Sequence, residues 1–356
     1  MKRMRVHKPV SMLAIMACLL LSILPVAESW AFRRRQPKFT ASSTSRLAHP
    51  QSHATFIDSW LSLYPATWNH VEPESNCTPK IVVLIPAYNE ERRIQATLES
   101  YRNYLLQSDL KSEILVVDDG STDNTVSVVT SYLEHEDNVQ VPIHCISMPV
   151  NQGKGAALAA GIKHIAEECK ANKNNETLIL TQDADGSGNL MYLNGMIDRM
   201  RELVTVSCEE EGLNDGQPLN SVDWTKPAIV TGNRNYKLFS PRGITRWGFQ
   251  AAVRLIMNDL RVQDSQCGYK LMTLTAAKDL YDDLEVSGWA HDVEVLYRAK
   301  LVDIPIKEIP IDWTDKDGSK VVESGVARVS VQMLMDVIRL RWEYSNLRAW
   351  LSLGDF

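Results

Sequence analysis

From Lys80 onward, short β-branched runs alternate with segments of helical period, and that alternation leaves the chain few architectures. "IVVLI", "EILVV", "IHCIS", "TLIL" and "AIVTG" have strand length and strand composition, as parallel strands buried on both faces require. Between them, "ERRIQATLESYRNYLL", "NTVSVVTSYL", "GKGAALAAGIKHIAEEC" and "LMYLNGMIDRMREL" space their apolar residues as helices do. The pattern predicts an α/β fold, Rossmann-like, with a mostly parallel sheet flanked by helices. Ligands of such sheets bind beyond the carboxyl ends of the strands.

Three polar motifs fall at such ends: "VVLIPAYNEE", "LVVDDGSTDNT" and "LILTQDADGSG". In the last, Asp183 and Asp185 follow an apolar run. If "TLILT" is a strand, residues i and i+2 point to one side of it and both carboxylates converge just past its end; two like charges held that close repel unless a cation lies between them. A divalent metal is the natural occupant. Taken alone, "DADGSG" reads equally well as a polar turn; three such motifs at successive strand ends favour a nucleotide and metal site. Asp119 then accepts from base or ribose donors. An EF-hand fails, because position 12 of that loop is Asn194 and a strand-like run precedes it. In "NQGKGAALAAG", Met148 and Gly155 break the Walker A pattern and Leu158 breaks the dinucleotide fingerprint. The helix starting near Gly153 either offers N–H groups to a phosphate or packs closely through small residues.

Charge narrows the partners. Residues 1–57 hold nine basic side chains and one acidic, so residues 58–356 hold 29 basic and 43 acidic, net −14. A body that acidic is a poor ligand for nucleic acid, whose binding rests on neutralising phosphates. The six cysteines form no C-x-x-C pair, which argues against a zinc site and a disulfide framework.

The termini read as membrane segments. Lys2, Arg3, Arg5 and Lys8 precede an uncharged run from Val10 to Ala27, so residues 1–31 are a signal peptide or short signal-anchor. Residues 32–79 form a basic, Ser/Thr-rich stem or transit-like segment. Residues 80–320 are the catalytic body, with an acidic surface insertion over 205–224. Residues 321–356 form an amphipathic helical segment that lies in a lipid interface through Trp342, Tyr344, Trp350, Arg339, Arg341 and Arg348, or packs on its own domain.

The ordered set "IPAYNEE", "VVDDGSTDNT", "NQGKGAAL" and "DADGS" resembles the family 2 glycosyltransferases with the A-type nucleotide-sugar fold. "VTGNR", "DSQCGYKLMT", "GWAHDVEVLY" and "IPIDWTDKDGSK" resemble one branch, the dolichyl-phosphate β-glucosyltransferases, over roughly Lys80 to Lys320. The resemblance implies UDP-glucose as donor, dolichyl phosphate as acceptor and Mg²⁺ or Mn²⁺ as cofactor. Pro86, Tyr88, Glu90 and Asp119 would border the uridine. Asp183 and Asp185 would hold the metal, while Arg234, Lys270 and Lys320 would meet phosphates. Asp292 and Glu294 would lie on the acceptor side, which makes Asp185, Asp292 and Lys320 the candidates for catalysis. The implied setting is the endoplasmic-reticulum membrane with the catalytic body facing the cytosol; a two-part presequence for a complex plastid or secretory compartment is the alternative. Alternative chemistries are mannosyl transfer from GDP-mannose, another polyprenyl or glycolipid acceptor, and an inactive nucleotide-sugar binding protein.

Overall fold

A computed structural model describes residues 78–135, 140–207, 220–234, 241–257, 260, 262–313 and 326–351. The N-terminal segments 1–31 and 32–77, most of the 205–224 insertion, and Lys320 lie outside the described residues.

Among those residues, strands β1 (Lys80–Ala87), β2 (Ser112–Asp118), β3 (Ile143–Ser147), β4 (Thr177–Thr181), β7 (Ile229–Arg234), β8 (Lys270–Thr273) and β9 (Ile306–Ile311) form a sheet ordered β3-β2-β1-β4-β8-β7-β9. β1 runs parallel to β2 and β4, β2 to β3, and β7 to β9. β8 is antiparallel to both neighbours, β4 and β7. Two reversals cancel, so β7 and β9 run with β1–β4 and β8 alone opposes them. A short pair, β5 (Thr205–Ser207) and β6 (Asn220–Val222), closes the base of the acidic insertion.

The alternation of side chains along each strand builds two cores. Ile81, Val83 and Ile85 of β1 face one layer with Leu178 and Leu180, while Val82 and Leu84 face the other with Ile179. Helices α1 (Ile94–Leu106) and α4 (Leu193–Val204) cover the first face with three- and four-residue stripes: Ile94, Leu98, Tyr101 and Leu105, then Leu193, Met196, Ile197 and Met200. Helix α2 (Thr125–His135) joins that side through Val129 and Tyr132. Helix α3 (Lys154–Asn172) covers the second face with Ala157, Leu158, Ile162 and Ile165, beside α6 (Leu274–Tyr281). The small residues of α3 make this a close fit: a Cβ on Gly161 would meet Leu84 Cδ1 at 2.4 Å.

A third apolar cluster joins α5 (Pro241–Ile256), α7 (His291–Leu301) and α8 (Val326–Leu351). Val253, Val293, Leu296, Val337 and Leu340 are its centre. The C-terminal helix therefore packs on its own domain in mid-length. Tyr344, expected at a lipid surface, instead donates to Glu294 Oε1 at 2.8 Å, and Arg341 donates to the Tyr297 hydroxyl at 2.9 Å. The side chains of Arg348 and Trp350 lie outside the described residues. Replacing Leu340 with Ala should cost about 2–5 kcal/mol, the range for a buried leucine, read by denaturant unfolding. An unchanged midpoint would show that α8 is not part of the core.

Candidate active site

The carboxyl ends of β1, β2, β4 and β7 lie along one edge of the sheet, and β8 starts there because it runs the other way. Lys270, the first residue of β8, pairs with Thr181, the last of β4. Thr181 Oγ1 donates to the Gly268 carbonyl at 2.6 Å. The antiparallel strand thus carries "CGYK" to the same edge as "DADGS".

β4 ends at Thr181, so Asp183 and Asp185 sit just past the strand's end, in a turn. Strand parity therefore does not bring them together. Gly186, at φ 68°, shapes the turn, and Ser187 N–H donates to Asp185 Oδ1 at 2.9 Å. Each carboxylate has found a cation within the chain. Lys154 Nζ lies 2.6 Å from Asp183 Oδ1, and an Arg93 guanidinium nitrogen lies 3.9 Å from Asp185 Oδ2. A Cβ on Gly268, just before β8, would stand 3.0 Å from both Asp183 Oδ1 and Lys154 Nζ, so a side chain there would crowd the pair.

Asp183 and Asp185 keep 27% and 22% of their side-chain surface open. They are hard oxygen donors, and among the described residues no cluster of three or more His, Cys, Asp or Glu could hold a metal. Two carboxylates with open coordination suit Mg²⁺ or Mn²⁺, the usual arrangement when substrate phosphates complete the shell. The donor set fits.

Asp119, at the end of β2, spends both oxygens on backbone: Gln152 and Gly153 N–H each donate at 2.8 Å. Burial pushes its carboxyl up, and those two bonds pull the other way. Gly155 N–H is also taken, by the Ser287 carbonyl at 2.7 Å. The start of α3 is therefore fixed by protein partners at these amides, and close packing accounts for its small residues. The helix start points its first side chain, Lys154, at Asp183. Lys154 was not among the residues singled out above, although the "GKG" that carries it was.

On the β1 side, Pro86 and Tyr88 are half-buried at the strand end. Glu90 is buried and grips Arg93 with both oxygens, at 2.7 and 2.6 Å. Its part here is to aim Arg93 at Asp185.

Arg234 and Lys270 depart from the expectation of phosphate contacts. Arg234 gives its planar fork to Asp264 at 2.6 and 2.8 Å, donates to the Gln266 carbonyl at 2.8 Å, and lies 5.3 Å from the Trp313 ring centre. Lys270 is fully buried, with its ammonium on Asp292 Oδ1 and the Cys267 carbonyl. Neither presents a spare charge at the edge.

Asp292 sits in the first turn of α7, between Lys270 and His291 Nε2, the latter 3.4 Å away. Burial would push its carboxyl up; the neighbouring His291, Lys270 and Lys154 outweigh that and hold it well below the usual carboxylate range. Burial keeps His291 itself below its ordinary value, so the charges that matter at neutral pH are those of the lysines. A carboxylate held that low is a weak base, and positioning is the role its surroundings allow. Glu294 does not share the site. It is buried on another side of α7, accepting from Glu285 N–H and Val286 N–H at 2.9 and 2.8 Å.

Asp292→Asn should leave the Lys270 charge buried without its partner and cost about 3–5 kcal/mol in thermal or denaturant unfolding. The folded carboxyl lies below its unfolded value, so the stabilisation is complete above about pH 4 and fades as pH falls further. The variant should lack that part of the acid dependence. A variant as stable as the parent at pH 7 would refute the pairing.

The profile of Glycosyl transferase family 2 matches residues 82–237, from β1 to just past β7. A Dictyostelium discoideum protein, "Dolichyl-phosphate beta-glucosyltransferase", is 32% identical over 267 residues, covering 74% of this chain and 74% of that protein. The Homo sapiens protein of the same name is 33% identical over 258 residues, covering 69% of this chain and 70% of its own. Among solved structures, glucosyl-3-phosphoglycerate synthase from Mycobacterium tuberculosis, in complex with Mn²⁺, UDP and glucosyl-3-phosphoglycerate, superposes with a TM-score of 0.48 at 14% identity, covering 82% of this chain and 86% of that one. The profile spans the strand ends that carry Asp119, Asp183, Asp185 and Arg234, the two relatives cover about 70% of the chain, and the chain belongs to glycosyl transferase family 2, among the dolichyl-phosphate beta-glucosyltransferases.

Proposed function

We propose that the chain transfers glucose from UDP-glucose to dolichyl phosphate, giving the β-linked glucosyl phosphate by a single inverting displacement. The observation that carries this reading is the open Asp183–Asp185 pair beside Lys154 at the carboxyl edge, in a chain whose relatives are named dolichyl-phosphate beta-glucosyltransferases.

A lipid phosphate monoester, with a second pKa near ~6, is already largely ionised at neutral pH. Its oxygen forms the bond to sugar C1 as the C1–O bond to UDP breaks, and the bonding pair leaves with UDP. The attack needs no strong general base, which suits an Asp292 held as a carboxylate by lysine. Stabilising the departing diphosphate is the harder task. Asp183 and Asp185 would hold a Mg²⁺ or Mn²⁺ ion, which supplies positive charge at the diphosphate when bound. Lys154 and Arg93 add positive charge at the same place.

The acceptor chain lies in a bilayer, so the site must be held at a membrane surface. Among the described residues no helix is long and apolar enough to cross one. One outer stripe of α8 carries Arg328, Val331, Met335, Arg339 and Trp342 at three- and four-residue spacing; Val331, Met335 and Trp342 are 50%, 55% and 67% exposed. Neighbouring α5 adds exposed Trp247 and Leu255 beside Arg254. Tryptophan with arginine on an exposed apolar stripe suits an anionic lipid interface. The three free cysteines among the described residues, Cys145, Cys169 and Cys267, support a reducing compartment. In this reading the catalytic body faces the cytosol of the endoplasmic reticulum, and a glycan on Asn175 of the native protein would contradict it.

Radiolabelled transfer from UDP-glucose and GDP-mannose into organic-extractable lipid tests the chemistry. UDP-glucose should be the donor, EDTA should abolish transfer, and Mg²⁺ or Mn²⁺ should restore it. Asp185→Asn should lose about 10²-fold or more, the scale of one electrostatic contact. Full activity in EDTA, or label from GDP-mannose alone, would sink the reading.

Point substitutions test the membrane face better than truncation, because removing α8 also removes Val337 and Leu340 from the core. Met335→Glu with Trp342→Glu should weaken binding to anionic vesicles at least roughly tenfold, given about 1 kcal/mol per basic residue near the surface and the reversed sign of the new charges. UDP binding should be unchanged. Unaltered vesicle binding would remove this face as the contact.

A further inference from the structure

We infer that Lys154 is an internal stand-in for the metal: it neutralises Asp183 when no ion is bound, and a divalent ion displaces it toward a substrate phosphate. The inference rests on the metal reading proposed for Asp183 and Asp185, and it concerns what this chain does before and during loading.

Both carboxylates of the pair already face a cation, which is how the chain tolerates two like charges in one turn. The two cations are not equivalent. Arg93 is clamped by both oxygens of Glu90 at 2.7 and 2.6 Å and stands 3.9 Å from Asp185. It is a fixed charge that a metal at Asp185 need not move. Lys154 has its ammonium 2.6 Å from Asp183 Oδ1, at the distance of a direct charge-assisted bond. It therefore lies on the oxygen that a metal would take.

The backbone beneath Lys154 is pinned. Asp119 holds the N–H groups of Gln152 and Gly153 at 2.8 Å each, and the Ser287 carbonyl takes the N–H of Gly155 at 2.7 Å. Only the four-carbon side chain is free to swing, and it keeps 15% of its surface open. Gly268, just before β8, and the ring of Trp289, whose centre is 5.9 Å from Nζ, are its neighbours there. Lys270 cannot replace it, because Asp292 and the Cys267 carbonyl hold that ammonium in the interior.

Once released from Asp183, the ammonium is a strongly hydrated point charge with three donors and nearby phosphate as its best partner. The exchange ties the two events together. Metal binding alone is weakened by the competing lysine, whereas metal with a phosphate ligand is strengthened, because the displaced charge has somewhere to go. The site then loads ion and substrate together rather than holding the ion by itself.

The experiment uses the full-length chain and reads binding, not turnover. Mn²⁺ is titrated without nucleotide, following free ion by electron paramagnetic resonance; UDP is then titrated by calorimetry at saturating Mn²⁺. A short polyprenyl phosphate added to the Mn²⁺–UDP form gives a second phosphate arm. Lys154→Met should bind Mn²⁺ roughly fivefold more tightly than the parent, the size of one partly exposed ion pair removed. It should bind UDP, or the polyprenyl phosphate, roughly tenfold more weakly, and the affected arm names the phosphate. Lys154→Arg keeps the charge and should stay near the parent in the Mn²⁺ titration, with thermal melting confirming that both variants fold. Mn²⁺ binding no tighter in Lys154→Met would overturn the stand-in role, and undiminished affinity in both phosphate arms would overturn the hand-over. Equal Mn²⁺ binding by the parent and by Asp183→Asn would overturn the metal reading itself, and this inference with it.

Discussion

Two lysine–aspartate pairs, Lys154 with Asp183 and Lys270 with Asp292, set the electrostatics of the carboxyl edge. They differ in depth, and depth decides what each can do. Lys270 and Asp292 are buried, so separating them would strand a charge where water cannot reach it. That pair is architecture: it ties the start of β8 to the first turn of α7. Lys154 and Asp183 keep partial contact with solvent, so either partner can exchange for another ion at modest cost. A permanent pair beneath and an exchangeable pair above give the edge a fixed floor and a chargeable surface.

The single reversed strand makes this arrangement possible. Were β8 parallel to its neighbours, its amino end would lie at the far side of the sheet, and Gly268 and Lys270 would be a strand's length from Asp183. Antiparallel pairing with both β4 and β7 brings the beginning of one strand to the ends of two others. The bare Cα of Gly268 then lets Asp183 and Lys154 meet directly over it.

Those parts of the design that depend on local pattern were legible in the sequence. β1 to β4 and the helices between them follow from strand-length β-branched runs and three- and four-residue stripes, and the motif-bearing strand ends do face one edge. β8 was not legible as a reversed strand, because "KLMT" is four residues long and its direction is a property of its partners. Strand parity was the wrong reason for pairing Asp183 with Asp185, since the strand stops at Thr181 and a turn with Gly186 at positive φ holds them. Lys154 was passed over because "GKG" was tested against phosphate-loop patterns, which ask about amides and glycines. The contact it makes depends on a turn 29 residues later in the chain.

Glu294 shows why motif membership and site membership part company. Asp292 and Glu294 stand two apart in "HDVEV", and on a helix with 3.6 residues per turn such positions point about 200° apart. One carboxylate must turn away from the edge if the other faces it. Asp292 faces Lys270, while Glu294 gathers the amides of Glu285 and Val286 and the hydroxyl of Tyr344 on α8. Both are buried, so neither bond set can be released cheaply. The short helix α7 thus works as a rigid strut, with one carboxylate fixed to the sheet edge and the other to the C-terminal helix. The exposed face of α8 proposed above to meet lipid is thereby tied, through α7, to the edge where a phosphate would react.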